Sequence, residues 1–470
     1  MSMAKVTVIM PSLNVAKYIR GSIESVMQQT LKDIEIICID AGSDDGTWEI
    51  LQEYAEKDDR ILLIKSDMKS YGYQMNLGME RASGEYIGIV ETDDFIEDEM
   101  YEDLYRKAVE TDADIVKSDF EMFTEKKDGH IIRAYYSLGF FNGMPYEQIF
   151  ACESFFDGTI KLECYIWDAI YKRDFLREHC VRFNETPGAS FQDFGFRYQT
   201  NFFAKRIVVI PRAYYKYRRS NMTASTYSSR TQEYNLRESL YMMGRLEQNE
   251  DTDAALMAAM AKEIVEYALG AYYELLVWNE PADTTMGALE GYRPLLRRIV
   301  ETGLVTRKDI PYDLWRDLNL LIEDATLFDR FIRVVARLSR ESILEELQYI
   351  RANNEVVVFG TGLRGKSVYA FLENNGIDIR AFCDNNPGTM EEYDGVSVIS
   401  PQNAVEMYPD GMYIISSMKY KDAMTDQLVE LGVSKDRIHV YPLRVDPLFC
   451  TNCLVAKVAD KKKESDKENV

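Results

Sequence analysis

Apolar and polar positions alternate in blocks along the first hundred residues. Val6 to Met10 is an apolar run that ends at Pro11. Ile19, Ile23, Val26 and Met27 recur at the three- and four-residue spacing that gathers side chains on one helix face. Ile34-Glu35-Ile36-Ile37-Cys38-Ile39 predicts a second strand, ending at Asp40. Gly42 and Gly46 mark a turn, and Thr47 precedes a helix through Trp48, Ile50, Leu51 and Tyr54. Ile61 to Ile64 reads as a third strand; a further helix leads to Tyr86-Ile87-Gly88-Ile89-Val90, a buried strand. Alternating units of this kind predict an α/β fold with a mostly parallel sheet.

Later segments follow other patterns. The stretch 145–225 is irregular and rich in aromatics, and 226–350 reads as helical. There Phe328, Phe331, Ile332, Val335 and Leu338 recur at helical spacing, with Arg330, Arg333, Arg337 and Arg340 on other faces. A core-facing helix explains this pattern; a basic amphipathic helix in peripheral contact with a membrane is the alternative. A second α/β unit begins near 354 with the strand Val356 to Phe359. Gly360-Thr361-Gly362-Leu363-Arg364-Gly365 follows, then a helix through Val368, Phe371 and Leu372. Ile377 to Cys383 predicts the next strand, ending at Asp384, and Met412 to Ser416 a later one. Beyond about 445 the chain is polar, with Lys461-Lys462-Lys463, and its composition is that of a disordered tail.

Composition narrows the classes. At 470 residues the chain exceeds one ordinary core. A net charge of −23 argues against nucleic acid as a partner and against broad attraction to anionic lipid. No apolar run approaches the roughly 18 residues that span a bilayer. Met1 to Val6 runs into a strand rather than a signal peptide, so a cytoplasmic location is expected. The seven cysteines show no regular spacing, and Cys450 and Cys453 form a lone CxxC where a zinc site needs about four ligands. None of the three histidines, His130, His179 and His439, sits in a triad or metal motif.

The candidate chemistry lies at strand ends. Pro11-Ser12-Leu13-Asn14 follows the first strand, Asp40 to Thr47 the second, and Glu91-Thr92-Asp93-Asp94 the strand ending at Val90. In open α/β sheets that edge is where ligands bind. Carboxylates there suit a hard divalent cation and, through it, a diphosphate.

With Ser25-Val26-Met27-Gln28-Gln29-Thr30, Asp33 to Ile37, Asn76-Leu77-Gly78 and Ala82 to Ile87 in order between them, these blocks resemble the family 2 glycosyltransferases. The resemblance covers roughly the first 120 residues and implies a GT-A fold and a nucleotide-sugar donor, usually a UDP-sugar. It implies that Pro11, Ser12, Asn14 and Asn76 contribute to the donor pocket and that Asp40 contacts the base. It further implies that Glu91 and Asp93 stand for the family's DxD pair, with Asp93 the main ligand of Mg²⁺ or Mn²⁺. Asp94 is expected to cap the following helix. The chain departs from the family pattern at Glu91, at Ala41 for a common Asp, and at Met75 for a frequent Arg.

Trp167 to Leu176 and Phe191-Gln192-Asp193-Phe194-Gly195-Phe196 resemble later segments of bacterial members, where a Glu-Asp pair supplies the general base. Asp193 takes that role by resemblance, with Gln192 replacing the Glu. Tyr214 to Thr223 resembles the closing Tyr-Arg segment, which implies that Arg218 neutralises the departing diphosphate.

Gly360, Gly362 and Gly365 after a strand and before a helix, with Asp384 about 20 residues on, fit a second nucleotide site. The unit also resembles small Rossmann-like domains appended to bacterial sugar-modifying enzymes. The expected organisation is a GT-A domain over 1–225, a helical region over 226–350, a Rossmann-like domain over 351–445 and a tail over 446–470. The expected function is inverting, metal-dependent sugar transfer to a glycan or lipid-linked hydroxyl in bacterial surface polysaccharide synthesis, at the inner face of the membrane. An NAD-dependent sugar-modifying enzyme and an inactive glycan-assembly scaffold are the alternatives.

Overall fold

The structure is a computed structural model. It describes residues 4–442 apart from 127, 157, 163–164, 190, 222–223, 225–227, 249–251, 253, 279–280, 354 and 388–389. The expected tail and the Cys450–Cys453 pair lie outside the described residues.

The chain opens with β1 (Val6–Ser12), α1 (Ile19–Met27), β2 (Ile34–Asp40), α2 (Thr47–Ala55), β3 (Ile61–Lys65), α3 (Tyr71–Arg81) and β4 (Tyr86–Ile89). Then come β5 (Phe95–Ile96), α4 (Met100–Thr111), β6 (Ile115–Glu125), β7 (Ile131–Tyr136), α5 (Leu138–Asn142) and α6 (Glu153–Phe156). β8 (Ala169–Lys172), α7 (Arg173–Glu178), α8 (Gln192–Phe203) and β9 (Ile207–Arg218) fill the aromatic stretch. Helices α9 (Thr231–Gln248), α10 (Ala254–Trp278), α11 (Thr285–Glu301), α12 (Tyr312–Glu323) and α13 (Ala325–Arg351) follow. The last part holds β10 (Val356–Phe359), α14 (Leu363–Asn374), β11 (Ala381–Cys383), β12 (Glu392–Tyr393) and β13 (Val396–Ile399). It closes with α15 (Pro401–Met407), β14 (Met412–Ile415), α16 (Lys421–Glu430) and β15 (Ile438–Val440).

Two compact units emerge. The first comprises Met1–Phe120, Ser137–Tyr217 and Asn221–Ala336; the second comprises Glu121–Tyr136, Arg218–Ser220 and Arg337–Val470.

In the first unit the strands run β3-β2-β1-β4-β8-β6-β9-β5. β1, β2, β3 and β4 are parallel, whereas β8 is antiparallel to β4 and β6. The sheet is therefore mixed, and the aromatic stretch supplies β8 and β9 to its antiparallel part. Every residue of β1 is buried, as expected of a strand covered on both faces. Its register sets Ser12 beside Asp40 and Ile9 beside Ile89, so the polar ends of β1, β2 and β4 emerge at one edge. Phe194, Tyr198 and Phe202 of α8 share a core with α9 to α12 and the start of α13. On α13, Phe328, Ile332 and Ala336 are buried while Leu327 and Val334 are exposed. Among the described residues no helix is long and apolar enough to cross a membrane.

The second unit has the sheet order β12-β13-β11-β10-β14-β15, parallel except for the β12–β13 pair. The strand expected over Ile377 to Cys383 begins only at Ala381.

Candidate active site

Side-chain hydrogen bonds lock the three strand ends of the first unit together. Gln74 Nε2 donates to the carbonyls of Ser12 at 3.0 Å and Ile39 at 2.7 Å, and Thr92 Oγ1 donates to the carbonyl of Pro11 at 2.8 Å. Asp40 is buried and occupied by its own turn. Its carboxylate accepts from the backbone amides of Gly42 at 2.9 Å and Ser43 at 3.0 Å, and from Ser43 Oγ at 2.5 Å. Asp40, Gly42, Ser43, Trp48, Glu49, Lys65 and Ser66 line a cavity of about 210 Å³ at this edge. Asn14 ties the neighbouring loops: its amide donates to Ser43 Oγ, and its Oδ1 accepts from the Asp44 amide, both at 2.9 Å.

Beyond β4 the acidic cluster divides. Glu91 Oε1 accepts from the Tyr71 hydroxyl at 2.6 Å, and the Glu91 amide donates to the Tyr215 hydroxyl at 3.0 Å. Tyr215 in turn donates to Asp94 Oδ2 at 2.9 Å, with Trp167 stacked on its ring at 4.0 Å. Asp94 is thus an internal anchor and caps no helix; β5 intervenes before α4, whose N-cap is Glu99. Asp93 is half-buried and accepts from Asn221 Nδ2 at 2.7 Å. Burial pushes the Glu91 carboxyl up to about 8; the Tyr71 hydrogen bond opposes this, and the charges of Asp93 and Asp193 add to it. The Tyr71 hydroxyl is raised well above its ordinary value, first by burial and then by Glu91, with Asp193 contributing. The charges of Asp93 and Asp193 thus both reach Glu91, and those of Glu91 and Asp193 reach Tyr71.

Asp193 lies half-buried in the first turn of α8, where its Oδ1 accepts from the Phe194 amide at 3.0 Å. Gln192 donates its amide to the carbonyls of Thr186 and Gly188 and to Thr186 Oγ1, at 2.9–3.0 Å. A glutamate could not donate these bonds, so the Gln has a structural reason. The segment it holds runs alongside the start of α3. The Tyr71 amide donates to the Gly188 carbonyl, and the Gly188 amide to the Lys69 carbonyl. Ser70 caps α3 by accepting from the Tyr73 amide at 3.2 Å, which fixes where Tyr71 and Gly72 fall.

Two expected donor contacts have other partners. Asn76 is buried; its Nδ2 donates to the Phe183 carbonyl and Glu185 Oε1, and its Oδ1 accepts from the Phe183 amide. It is a tie between α3 and the 183–185 segment. Arg218 falls in the second unit, where it pairs with Glu125 at 2.5 Å and lies over the Phe123 ring.

Gly72 is where α3 meets the 183–185 segment most closely: a Cβ there would lie 1.9 Å from the Asn184 carbonyl oxygen. Backbone cannot yield as a flexible side chain can, so Gly72→Ala is expected to cost about 1–3 kcal/mol or more of stability. Urea unfolding of the two proteins checks this.

Behind α8 lies Glu238 of α9. Burial pushes its carboxyl up to about 8, opposed by a hydrogen bond from Asn184 and reinforced by Asp193. The folded chain therefore holds this proton more tightly than the unfolded chain. The stability it contributes is complete below the ordinary carboxyl range and is lost as pH rises through about 8. Glu238→Gln is expected to flatten the fall in urea stability across that window; an unchanged slope contradicts the assignment.

Among the described residues no group of three or more His, Cys, Asp or Glu is arranged to hold a metal. Glu91 and Asp93 nevertheless fit a hard cation that takes one or two protein carboxylates and completes its shell with phosphate oxygens and water.

In the second unit the GxGxxG segment is closed on itself. Asp384 Oδ2 accepts from the Thr361 amide at 2.9 Å and its hydroxyl at 2.7 Å. A Cβ at Gly365 would lie 1.9 Å from the Gly360 carbonyl oxygen, so this glycine is required for the close passage of α14 over β10. Gly362 is the N-cap of α14.

Residues 7–149 match the family model described as Glycosyl transferase family 2. The N-terminal part of the chain is a family 2 glycosyltransferase domain. Glycosyltransferase GlyA of Streptococcus pneumoniae serotype 4 is 30% identical over 218 residues, 46% of this chain and 30% of GlyA. Glycosyltransferase GlyG of the same organism is 36% identical over 126 residues, 27% of this chain and 42% of GlyG. The chain thus spans less than half the length of either relative. The crystal structure of S. aureus TarS 1–349 superposes with a TM-score of 0.52 at 18% identity, over 71% of this chain and 92% of that one. At that identity the likeness speaks for the GT-A fold. Residues 352–439 match a second model, described as C2185-like, N-terminal.

Tyr71, Gln74, Tyr215 and Asn221 complete the site of the glycosyltransferase domain and were not expected from the sequence as site residues. Tyr215 and Asn221 stood within a motif already quoted; Tyr71 and Gln74 carry no signal until the chain is folded.

Proposed function

We propose that this protein is an inverting, cation-dependent glycosyltransferase that moves a sugar from a UDP-sugar to a hydroxyl of a glycan or lipid-linked acceptor. The observation that carries the proposal is the Tyr71–Glu91 hydrogen bond beside the ends of β1, β2 and β4, with the charges of Asp93 and Asp193 both reaching Glu91. Asp193 accepts the proton of the acceptor hydroxyl, whose oxygen forms the new bond to the anomeric carbon as the bond to the diphosphate breaks. A divalent cation at Asp93 and Glu91 would supply charge neutralisation of the leaving diphosphate. Tyr71 and Asn221 hold those two carboxylates in orientation.

In this reading the base end of the donor lies in the cavity lined by Asp40, Trp48 and Lys65, with Pro11 and Ser12 at the neighbouring end of β1. TarS has been captured with UDP and with UDP-GlcNAc, which makes uridine donors the first to try. We place the reaction on the cytoplasmic face of the membrane, in surface glycan assembly. The test is binding and hydrolysis of UDP-GlcNAc, UDP-glucose and UDP-galactose with and without Mn²⁺. Cation-dependent UDP release supports the proposal; donor binding without turnover of any of them favours a scaffold.

A further inference from the structure

Glu238 lies on α9, outside every motif that points to the site, and its side chain is fully buried. An acidic side chain is seldom enclosed in this way, because burying it without full pairing is costly. Its Oε1 accepts from Asn184 Nδ2 at 2.8 Å, whereas its Oε2 has no hydrogen-bond partner among the described residues. Oε2 also stands 2.8 Å from where a Cβ of Gly195 would be, two residues after Asp193 on α8. The helix that carries Asp193 thus has a glycine on the face against this carboxyl.

Asn184 extends the connection to the other side of the site. Its carbonyl oxygen packs against Gly72, next to the Tyr71 that holds Glu91. The same 183–185 segment is tied to α3 by Asn76, and Phe183 stacks on Phe196 of α8 at 4.4 Å. Asn76 of α3 and Glu238 of α9 both hold this strap, and α8 and α3 both pack on it.

We infer that Glu238 is a positioning residue of the transfer reaction: through Asn184 it fixes the 183–185 strap between α3 and α8, and so sets Asp193 relative to Tyr71 and Glu91. This rests on Asp193 being the base. Glu238 touches no reacting atom in this scheme. Its work is to hold the strap to α9 through the Asn184 hydrogen bond, as Asn76 holds it to α3.

The test compares Glu238→Ala, Glu238→Gln, Asn184→Ala and Asp193→Asn, by UDP release from the three UDP-sugars and by amide hydrogen exchange. Glu238→Ala and Asn184→Ala are expected to lower kcat by about tenfold or more with donor KM nearly unchanged, and the double variant to be no worse than either. Glu238→Gln keeps an acceptor for Asn184 and is expected to retain a rate close to that of the original chain. Exchange across 183–188 and the first turn of α8 is expected to speed up in the two alanine variants and not in the glutamine variant. If Glu238→Ala does not fold, Asn184→Ala, at a half-buried position, carries the same prediction.

Unchanged kcat and unchanged exchange in Asn184→Ala and Glu238→Ala, with Asp193→Asn inactive, would overturn the positioning role and leave the base assignment standing. Full activity of Asp193→Asn would overturn the base assignment, and the exchange rates would then decide alone whether Glu238 holds the strap. A lowered melting temperature with an unchanged kcat well below it would reduce Glu238 to a packing role and also overturn the inference.

Discussion

Asp193→Asn is expected to lower sugar transfer by about 10²- to 10⁴-fold, the range a positioned general base supplies. Asparagine has nearly the same shape, and its Oδ1 can still accept from the Phe194 amide, so α8 keeps its first turn. What is lost is the ability to take a proton from the acceptor hydroxyl. Donor binding should be unaffected, because the residues that line the cavity at the β2 end come from 40–49 and 65–66, away from α8 in sequence and contact. UDP release and calorimetric binding of a UDP-sugar, measured on the same preparation, check both halves. A variant that loses donor affinity in step with rate would point to a different role for Asp193.

Asp93→Ala is expected to have an effect of comparable size by a different route. A cation at a leaving diphosphate is worth several kcal/mol of transition-state stabilisation, on the order of a thousandfold in rate. Asp93 is held by the Asn221 amide, while Glu91 is held by Tyr71. Removing Asp93 should therefore abolish the dependence of rate on Mn²⁺ as well as the rate itself. A titration of UDP release against Mn²⁺ reads this directly. An unaltered Mn²⁺ response in Asp93→Ala would place the cation elsewhere.

The edge of the parallel sheet was legible in the sequence because it is a local property. Each apolar run ends in polar residues, and parallel strands bring such ends together whatever their order. Pro11, Ser12, Asp40, Glu91 and Asp93 gather for that reason. Antiparallel pairing across long intervals was not legible. Tyr215 reaches Glu91 and Asp94 from more than a hundred residues away, and nothing in either segment announces the other.

The same limit explains one correction and two sets of partners that the sequence did not announce. Asp94 was expected to cap a helix because an acidic residue before an amphipathic run fits that pattern, yet the two-residue strand β5 intervenes. Asn76 was expected at the donor, but its orientation depends on where 183–185 passes α3. The GxGxxG spacing satisfied a local motif, whereas the contact of Asp384 with Thr361 depends on how β10 and β11 align. Gln192 goes the other way: a substitution that looked like a lost charge has three donated hydrogen bonds to account for it.

The central claim is that Asp193, Asp93 and Glu91 form one catalytic site for a nucleotide-sugar donor. Its most direct test is UDP release from a panel of UDP-sugars by the original chain and by Asp193→Asn, each with Mn²⁺ and with chelator. The account predicts release only from the original chain with Mn²⁺, with donor still bound by Asp193→Asn. Equal release by both proteins, or release undiminished by chelator, would contradict it.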